Sequence, residues 1–421
     1  MPWNHSVLPE HLTRRQFQAL ALGLARERYA DLFLSGPGFP GEDRSFAGLE
    51  PVSELTVTPD TPPGRIADFC FGTPGTALGW LGYELGLRLR GVASAKTGDL
   101  PQGVLRKYAS LLEHDAASGA VRVHGAPIRL EPDTTPRTAA TFAPGSMGPA
   151  FANLDREAYM ERVRQTLEHI RGGHTYQLNL SLRFEAPAPD LDSLAWFAQL
   201  LERNPAPFYA FFRFGTHSLL STSPERFLRV RQGEVLTQPI KGTLRIAPGS
   251  EPDPAPLLAS AKEDAELSMI VDLMRNDISR HCDYGSVRVE RHKHVFRVDN
   301  LLQMQSDVRG KLRQGSTCLD LLLDAFPGGS VTGCPKRRSL RLIDELEPHS
   351  RGPYCGSFLI VEDERNMDSS VAIRTAHHDA SSGVLAFWAG SGIVVDSDPE
   401  SEYLESVAKA EKFLQHGARQ P

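Results

Sequence analysis

The strongest structural signal in the chain is the alternating stretch Tyr176-Gln177-Leu178-Asn179-Leu180-Ser181-Leu182-Arg183-Phe184. Its apolar residues at every second position, from Tyr176 to Phe184, predict the buried face of a β-strand, and the residues between them predict the polar face. A helix is predicted directly before this strand. It begins after the N-cap candidate Asp155, has apolar residues at helical spacing, and ends at Gly172-Gly173.

The rest of the chain interleaves strands and helices irregularly. Strands are predicted at 207–213, 217–222, 226–230, 234–239, 357–361, 370–376 and 384–389, and helices at 260–280, 315–325, 335–347 and 400–415. This arrangement predicts an α+β protein with large mixed β-sheets. We expect two regions: an N-terminal region over residues 1–150, with a Pro-, Thr-, Ala- and Gly-rich linker at about 131–150, and a second domain over 151–421.

Composition limits the classes of function. The chain has 421 residues, of which 40% are hydrophobic and 23% charged, which is typical of a soluble globular protein. The net charge of -6, without a polybasic run, argues against a nucleic-acid partner. No apolar run approaches the ~20 residues that span a bilayer, and no secretory signal is visible. The five scattered cysteines predict reduced thiols in a cytoplasmic protein.

Two short segments contain candidate catalytic residues: Ser223-Pro224-Glu225 and Pro239-Ile240-Lys241-Gly242-Thr243. A lysine becomes a nucleophile when its surroundings favour the neutral amine, and a carboxyl group with a raised pKa can act as an acid or base. Judged by position alone, Lys241 is more often an exposed lysine at a strand end, and Glu225 a solvated turn glutamate.

Two pairs of carboxylates recur at a spacing of three residues in predicted helices. Glu263 and Glu266 form the first pair, and Glu402 and Glu405 form the second. Oxygen ligands from two helices, completed by water and a substrate carboxylate, would suit Mg²⁺. The alternative is an ordinary helix surface, with Lys409 paired to Glu405 one turn away.

Glycine-rich turns and an arginine complete the candidates. The segment from Phe326-Pro327-Gly328-Gly329 to Lys336 runs into a helix, whose first N–H groups favour anions. Ala389-Gly390-Ser391-Gly392 follows an apolar strand, where glycine would allow close approach of a ligand, although a tight turn is the simpler interpretation. Arg374 lies on a predicted strand face and would suit either bidentate carboxylate binding or a structural salt bridge.

The order of these segments and their amino-acid sequences resemble those of the family of anthranilate and aminodeoxychorismate synthases. The resemblance covers roughly residues 152–416 and rests on a set of motifs. They are Tyr176 to Ser181, Ser223-Pro224-Glu225, Pro239 to Thr243, Met269 to Asp277, Phe326 to Lys336, Met367-Asp368-Ser369-Ser370 through Arg374, and Glu402-Tyr403 through Lys409. It implies an anthranilate-synthase-like fold, with large mixed β-sheets packed as a sandwich and helices outside.

The resemblance also implies roles for individual residues. Lys241 matches the nucleophile of the members that form aminodeoxychorismate, whereas anthranilate synthases typically have alanine there. Glu225 matches the catalytic acid or base. Glu266 and Glu405 match Mg²⁺ ligands, which Glu263 and Glu402 would assist through water. The positions that match chorismate contacts are Gly242, Thr243, Tyr354, Arg374, Gly390, Ser391 and Gly392.

Two glutamines distinguish this chain within the family. Gln177 stands where isochorismate and salicylate synthases have a lysine that activates water, so that branch is disfavoured. Gln303 stands where many members have a histidine near the reacting end of the substrate, and a carboxamide does not change protonation near neutral pH.

The implied reaction is amination of chorismate to 4-amino-4-deoxychorismate, on the route to 4-aminobenzoate and folate, assigned to the transaminase class (EC 2.6.1). The chain has no Cys-His glutaminase signature, so nitrogen is expected from a separate glutamine amidotransferase subunit or from free ammonia. An anthranilate synthase large subunit is the nearer alternative, and a non-catalytic paralogue is the farther one.

Overall fold

The computed structural model describes residues 8–37, 44–128, 144–246, 251–298 and 301–414, with the side chains of Thr243, Arg245, Lys262, Val298 and Lys412 excepted. Most of the predicted linker at 131–150 lies outside the described residues. Within them, no helix is long and apolar enough to cross a membrane.

Helices occur throughout the chain. They are α1 Arg14–Glu27, α2 Pro63–Phe71, α3 Tyr83–Leu89, α4 Arg156–Arg171, α5 Ser193–Arg203, α6 Ala255–Leu258, α7 Ala261–Ser279, α8 Cys318–Ala325, α9 Lys336–Leu346 and α10 Pro399–Leu414.

The strands are more numerous. They are β1 Ala30–Ser35, β2 Arg44–Val57, β3 Ala77–Leu81, β4 Gly103–Asp115, β5 Val121–Gly125, β6 Phe151–Ala152, β7 Gln177–Pro187, β8 Phe208–Phe214, β9 His217–Ser223, β10 Arg226–Arg231, β11 Glu234–Gln238, β12 Ile240–Arg245, β13 Arg288–Val298, β14 Leu301–Lys311, β15 Gly333–Cys334, β16 Ser357–Asp363, β17 Asn366–Val371, β18 Thr375–Asp379 and β19 Val384–Ile393.

The α+β class is confirmed. The described strands join in one continuous sheet, and the pairings between them are antiparallel rather than mixed. Strands from the N-terminal region pair with later ones: Leu34 of β1 lies opposite Tyr209 of β8, and Leu78 of β3 lies opposite Ile360 of β16. Antiparallel pairing suits the many short connections between neighbouring strands.

Two apolar cores hold the layers together. The smaller core includes Trp80, Phe212 and Phe358, from β3, β8 and β16, and consists almost wholly of strand residues. That composition is typical of sheet layers packed face to face. The larger core adds the buried faces of the helices, such as Tyr159 of α4 and Phe413 of α10, which cover the sheet from outside.

The predicted helix and strand at 155–184 are present as α4 and β7. Asp155 caps α4 by accepting a hydrogen bond from the Ala158 N–H at 2.8 Å. One detail of the strand prediction was wrong, because Tyr176 precedes the strand and is 67% exposed. The polar face, including Gln177 and Asn179, is buried, as the apolar face is. The polar face is buried because it adjoins the cavity described below.

The predicted strand at 370–376 is two strands. β17 ends at Val371 and β18 begins at Thr375, and between them Arg374 adopts a left-handed backbone conformation with φ 52. A non-glycine residue in this region interrupts regular pairing. Arg374 is therefore presented by a break in the sheet rather than by a strand face.

Candidate active site

The predicted site residues converge on one cavity of about 560 Å³. It lies between the ends of several strands and the helices α7 and α10. Its lining includes most of the candidates from the sequence, namely Glu225, Lys241, Gly242, Glu263, Glu266, Gln303, Tyr354, Arg374, Gly390, Gly392, Glu402 and Glu405.

Lys241 is presented by β12 next to an irregularity in its pairing with β14. Gly242 has φ 74, and a side chain there would place its Cβ 3.1 Å from the Glu263 carboxylate. The left-handed conformation favours glycine, and a side chain would press on the neighbouring side chains. The Lys241 ammonium lies 3.8 Å from a carboxylate oxygen of Glu266. The lysine also approaches β19, since a Cβ on Gly392 would stand 2.9 Å from Lys241 Nζ.

Glu225 is held in the turn between β9 and β10. Its N–H donates to the Ser223 hydroxyl at 3.2 Å, and its carbonyl oxygen accepts from the Val371 N–H at 3.0 Å. The residue is only 5% exposed. Burial raises the pKa of Glu225 to about 7, against the opposing effects of the Ser330 hydroxyl, the Lys241 charge and the Ile240 N–H. A carboxyl group with this pKa can exchange protons near neutral pH.

Four carboxylates reach the cavity from two helices. Glu263 and Glu266 come from the start of α7, and Glu402 and Glu405 come from α10. Glu402 accepts a hydrogen bond from the Ser397 hydroxyl at 2.6 Å. Among the described residues, no three His, Cys, Asp or Glu side chains converge closely enough to hold a metal by themselves.

Arg374 and Tyr354 form another part of the lining. Burial lowers the pKa of Arg374, and its guanidinium donates to the Lys409 carbonyl oxygen at 3.2 Å. The Tyr354 ring stacks on Trp388, with ring centroids 6.3 Å apart. Lys409 in turn donates to the Glu405 carboxylate at 2.6 Å and to the Gly390 carbonyl oxygen at 3.1 Å.

The three candidates in β19 do not all face the cavity. Gly390 and Gly392 line it, but Ser391 is fully buried on the opposite side, 3.3 Å from the Tyr159 hydroxyl of α4. This follows from the alternation of a strand. The Thr243 side chain lies outside the described residues. The backbone of Thr243 is opposite Gln303 in β14.

The two glutamines are buried close to these residues. Gln303 lines the cavity, and the Gln177 amide nitrogen lies 2.9 Å from where a Cβ of Gly392 would be. Within the described part of the chain, the side-chain carbonyl oxygens of Gln177 and Gln303 have no hydrogen-bond partner. Both groups are neutral acceptors, and neither can remove a proton from water at neutral pH.

Sequence reasoning missed several lining residues, among them Asn179, Ser330 and Trp388. The strand period contained a signal for one of them, because Trp388 is two residues before Gly390 and so shares its face. Ser330 carried no such signal, since its approach to Glu225 depends on how the loop after α8 folds back.

Comparison with known proteins places the chain in a class. Residues 43–415 match the family model described as chorismate binding enzyme. Aminodeoxychorismate synthase component 1 of Klebsiella aerogenes is 41% identical over 352 residues, covering 81% of this chain and 76% of that protein. The protein of the same name from Escherichia coli K12 is 37% identical over 381 residues, covering 87% and 82%.

A solved structure agrees with this assignment. The crystal structure of anthranilate synthase component I from Streptococcus pneumoniae TIGR4 superposes with a TM-score of 0.77 at 26% identity, covering 89% of this chain and 93% of that one. The fold and the cavity therefore define a chorismate-utilising enzyme. The chain belongs to the family of chorismate binding enzymes, and among its relatives are proteins named aminodeoxychorismate synthase component 1.

Proposed function

We propose that this protein converts chorismate and ammonia into 4-amino-4-deoxychorismate. The observation that carries the proposal is the presence of Lys241 and Glu225 in one cavity, together with the names of the most similar relatives. A buried acid with a pKa of about 7 beside a lysine amine supplies a proton donor and a nucleophile in one site.

The proposed chemistry has two displacements. In the first, the neutral amine of Lys241 forms a bond to C2 of chorismate, the ring double bonds shift, and the C4–O bond breaks. Glu225 gives its proton to the departing hydroxyl, which leaves as water. In the second, ammonia adds at C4, the double bonds shift back, and the bond between C2 and the lysine nitrogen breaks. The new ammonium group returns a proton to Glu225, and Lys241 is restored as an amine.

Other lining residues would bind the substrate. Arg374 offers a guanidinium for a carboxylate, and Tyr354 offers a hydroxyl beside it. Gly242, Gly390 and Gly392 leave room for the substrate and expose backbone to it, and the backbone of Thr243 follows in the same strand. Gln177 and Gln303 provide hydrogen-bond acceptors suited to an incoming N–H donor.

The donor set fits Mg²⁺. Carboxylate oxygens from α7 and α10 are the ligands this ion prefers, and it usually binds through one or two carboxylates, with water and substrate oxygens completing its coordination. Glu266 and Glu405 would hold it, with Glu263 and Glu402 acting through water. When bound, the ion neutralises a substrate carboxylate and anchors it.

The ammonia would come from a separate glutamine amidotransferase subunit, or from ammonium ions in solution. The designation component 1 carried by the relatives implies a partner component for those proteins. We extend that expectation to this chain as part of the proposal.

Product analysis tests the proposal. The purified protein is mixed with chorismate, Mg²⁺ and an ammonium salt, and the products are separated and identified. We expect 4-amino-4-deoxychorismate, which an added lyase would convert to 4-aminobenzoate. Formation of fluorescent anthranilate would contradict the proposal and favour an anthranilate synthase. If ammonium gives no turnover, the same assay is repeated with a glutamine amidotransferase and glutamine, and continued absence of product would contradict the proposal.

The role of Lys241 is tested by Lys241→Ala. Loss of amination is expected because the covalent bond between C2 and the amine at position 241 can no longer form. Lys96→Ala is the matched control, since Lys96 also pairs with a carboxylate, Asp344, at 3.2 Å, but does not line the cavity. Unchanged amination by Lys241→Ala would reject the covalent mechanism while leaving the overall reaction intact.

A further inference from the structure

We propose that the buried ion pair between Glu347 and Arg351 is a positioning device that sets the relative placement of three parts of the cavity lining. These parts are Asn179 of β7, the turn at Ser330-Val331, and Tyr354. The inference rests on the proposed function, because turnover of chorismate is one of its readouts.

The pair is fully enclosed and bidentate. Both side chains are 1% exposed, and Arg351 donates from Nε to Glu347 Oε2 at 2.9 Å and from Nη2 to Oε1 at 2.7 Å. Burial on its own would raise the pKa of Glu347, but the opposing effects, of which the Arg351 charge is the largest, together hold that pKa below its ordinary value. Glu347 is therefore an anion, and the contact is a charged fork-to-fork pair with one permitted geometry.

The remaining N–H groups of Arg351 bind two different segments of the lining. Nη1 donates to the Val331 carbonyl oxygen at 2.9 Å, and Nη2 donates to the Asn179 carbonyl oxygen at 2.8 Å. Val331 follows Ser330, whose hydroxyl lies close enough to Glu225 to lower the pKa of that carboxyl group. A single guanidinium thus holds β7 and the Ser330 turn at a fixed separation.

Tyr354, which is the third part of the lining, and the N-terminal region both contact Arg351. The Arg351 guanidinium lies 4.7 Å from the ring centroid of Tyr83 and 5.8 Å from that of Tyr354. The N–H groups of Arg351 and Gly352 donate to Glu84 Oε1 at 2.9 and 3.1 Å. Tyr83 and Glu84 belong to α3, so the N-terminal region supports the catalytic cavity through this contact.

Glu347 is itself held by a directed chain of hydrogen bonds. It accepts from the Ser181 N–H at 2.8 Å and from the Ser181 hydroxyl at 2.7 Å. That hydroxyl accepts from His349 Nε2 at 3.1 Å, and His349 Nδ1 accepts from the Asn153 amide at 2.7 Å. Asn153 is oriented because its carbonyl oxygen accepts from the Arg183 N–H at 2.9 Å. Every hydrogen bond in this chain is directed toward Glu347, so several contacts together fix the position of its carboxylate.

This arrangement is better explained by placement than by stability alone. Enclosing two charges costs desolvation energy that their attraction only partly recovers, so a buried pair is weak evidence for a gain in stability. A planar guanidinium, by contrast, can bind one carboxylate and two carbonyl oxygens at once. A lysine ammonium keeps the charge but cannot reproduce that fork.

The test compares Arg351→Lys with Arg106→Lys. Arg106 is also a buried arginine, paired with Asp31 at 2.9 Å, and it does not line the cavity or bind its lining. We measure the melting temperature, kcat and KM for chorismate, and the ionisation of Glu225. That ionisation is followed without substrate, as the pH titration of the infrared carboxyl band that disappears in Glu225→Gln. It therefore remains a test even if chorismate is not the substrate.

Both lysine variants should melt at a lower temperature. Only Arg351→Lys should lower kcat/KM, on the order of a hundredfold, which is the loss that a misplacement of about 1 Å causes. In the same variant Glu225 should ionise at a higher pH, because the Ser330 hydroxyl no longer stabilises its anion.

Two results would overturn the inference: an Arg351→Lys variant with wild-type kcat/KM and Glu225 ionisation, or an Arg106→Lys variant with the same losses. If Arg351→Lys does not fold, the Ser181→Ala variant tests the inference instead. It removes one hydrogen bond to Glu347, and should shift kcat/KM and the Glu225 ionisation in the same directions by smaller amounts; no shift would refute the proposal.

Discussion

At the scale of single residues, the acid–base chemistry of the site depends on how one ionisable group, Glu225, is enclosed. Glu225 is a buried carboxyl group whose pKa is raised to about 7, chiefly because burial disfavours its charged form. Gln303 stands close by and cannot ionise. Among these two residues, Glu225 is therefore the one that can supply a proton to a leaving hydroxyl near neutral pH.

The first prediction concerns pH. The acid form of Glu225 is present below its pKa, so kcat/KM for chorismate should fall as the pH rises through about 7. In Glu225→Gln, kcat/KM should be lower by a factor of ~10² to 10⁴, and its decrease with rising pH should disappear. Initial rates of chorismate consumption across the pH range check both. A falling limb that survives in Glu225→Gln would assign the ionisation to another group.

The second prediction concerns Gly392. In Gly392→Ala the new methyl group would stand 2.9 Å from both Lys241 Nζ and the Gln177 amide nitrogen, so these side chains must move. Activity should fall markedly while the fold persists, because both neighbours are ends of flexible side chains. Gly64→Ala, in open space within α2, is the matched control and should keep full activity. Kinetic assay and thermal melting of both variants make the comparison, and equal activity would show that the lysine does not need this approach.

At the scale of elements, the helices α7 and α10 and the strands β12 and β19 supply much of the cavity lining. α7 and α10 each present carboxylates three residues apart, so that one helical face of each supplies oxygen donors. β12 presents Lys241, and β19 presents Gly390 and Gly392. The strand alternation explains why Ser391 faces α4 whereas its two glycine neighbours line the cavity.

The third prediction concerns these carboxylates. Glu266→Gln and Glu405→Gln should each raise the Mg²⁺ concentration needed for half-maximal activity, because a neutral amide binds the ion more weakly than a carboxylate. Asp272→Asn is the control, since Asp272 is an exposed acid on α7 whose ion pair with Arg275 lies at the surface. Titration of activity with Mg²⁺, after removal of metal by a chelator, gives the three curves. Overlap of all three with wild type would argue against these ligands.

At the scale of the whole molecule, one sheet joins both regions of the chain. β1 pairs with β8, and β3 pairs with β16. Glu84 of α3 accepts a hydrogen bond from the Arg351 N–H, which connects the N-terminal region to the residues behind the cavity. The sheet also buries ionisable groups that do not line the cavity. His377 of β18 is hydrogen-bonded to His217 of β9 at 3.0 Å, and burial lowers the pKa of His377 to about 3.

The fourth prediction concerns stability in acid. His377 stays neutral in the folded protein but takes up a proton in the unfolded chain below about pH 6.5, so it lowers the free energy of unfolding as the pH falls. Between pH 7 and pH 5 this amounts to about 2 kcal/mol. His377→Gln should lose correspondingly less stability over that interval, as urea unfolding at the two pH values would show. His174→Gln, at an exposed position, should behave as wild type. An identical pH dependence for all three proteins would contradict the assignment.

Several parts of the structure could be predicted from local sequence. The cap at Asp155, the helix after it and the strand at Gln177 follow from short-range periodicity and capping, which depend on few neighbours. The motifs around Glu225 and Lys241 also indicated the site. The break at Arg374 could not be predicted, because a left-handed residue between two strands is stabilised by tertiary contacts, such as the hydrogen bond from Thr222 N–H to its carbonyl oxygen at 3.0 Å.

The sequence by itself determined the class of the protein: the α+β elements, the family motifs and the candidate residues are all local patterns. Only the tertiary structure decided which candidates meet. It brought Lys241 to 3.8 Å from Glu266, turned Ser391 away, and placed Ser330 beside Glu225. It also enclosed Glu347 and Arg351, four residues apart in sequence, as a junction between distant segments. Distances and burial arise from packing between remote parts of the chain, and local sequence patterns do not contain them.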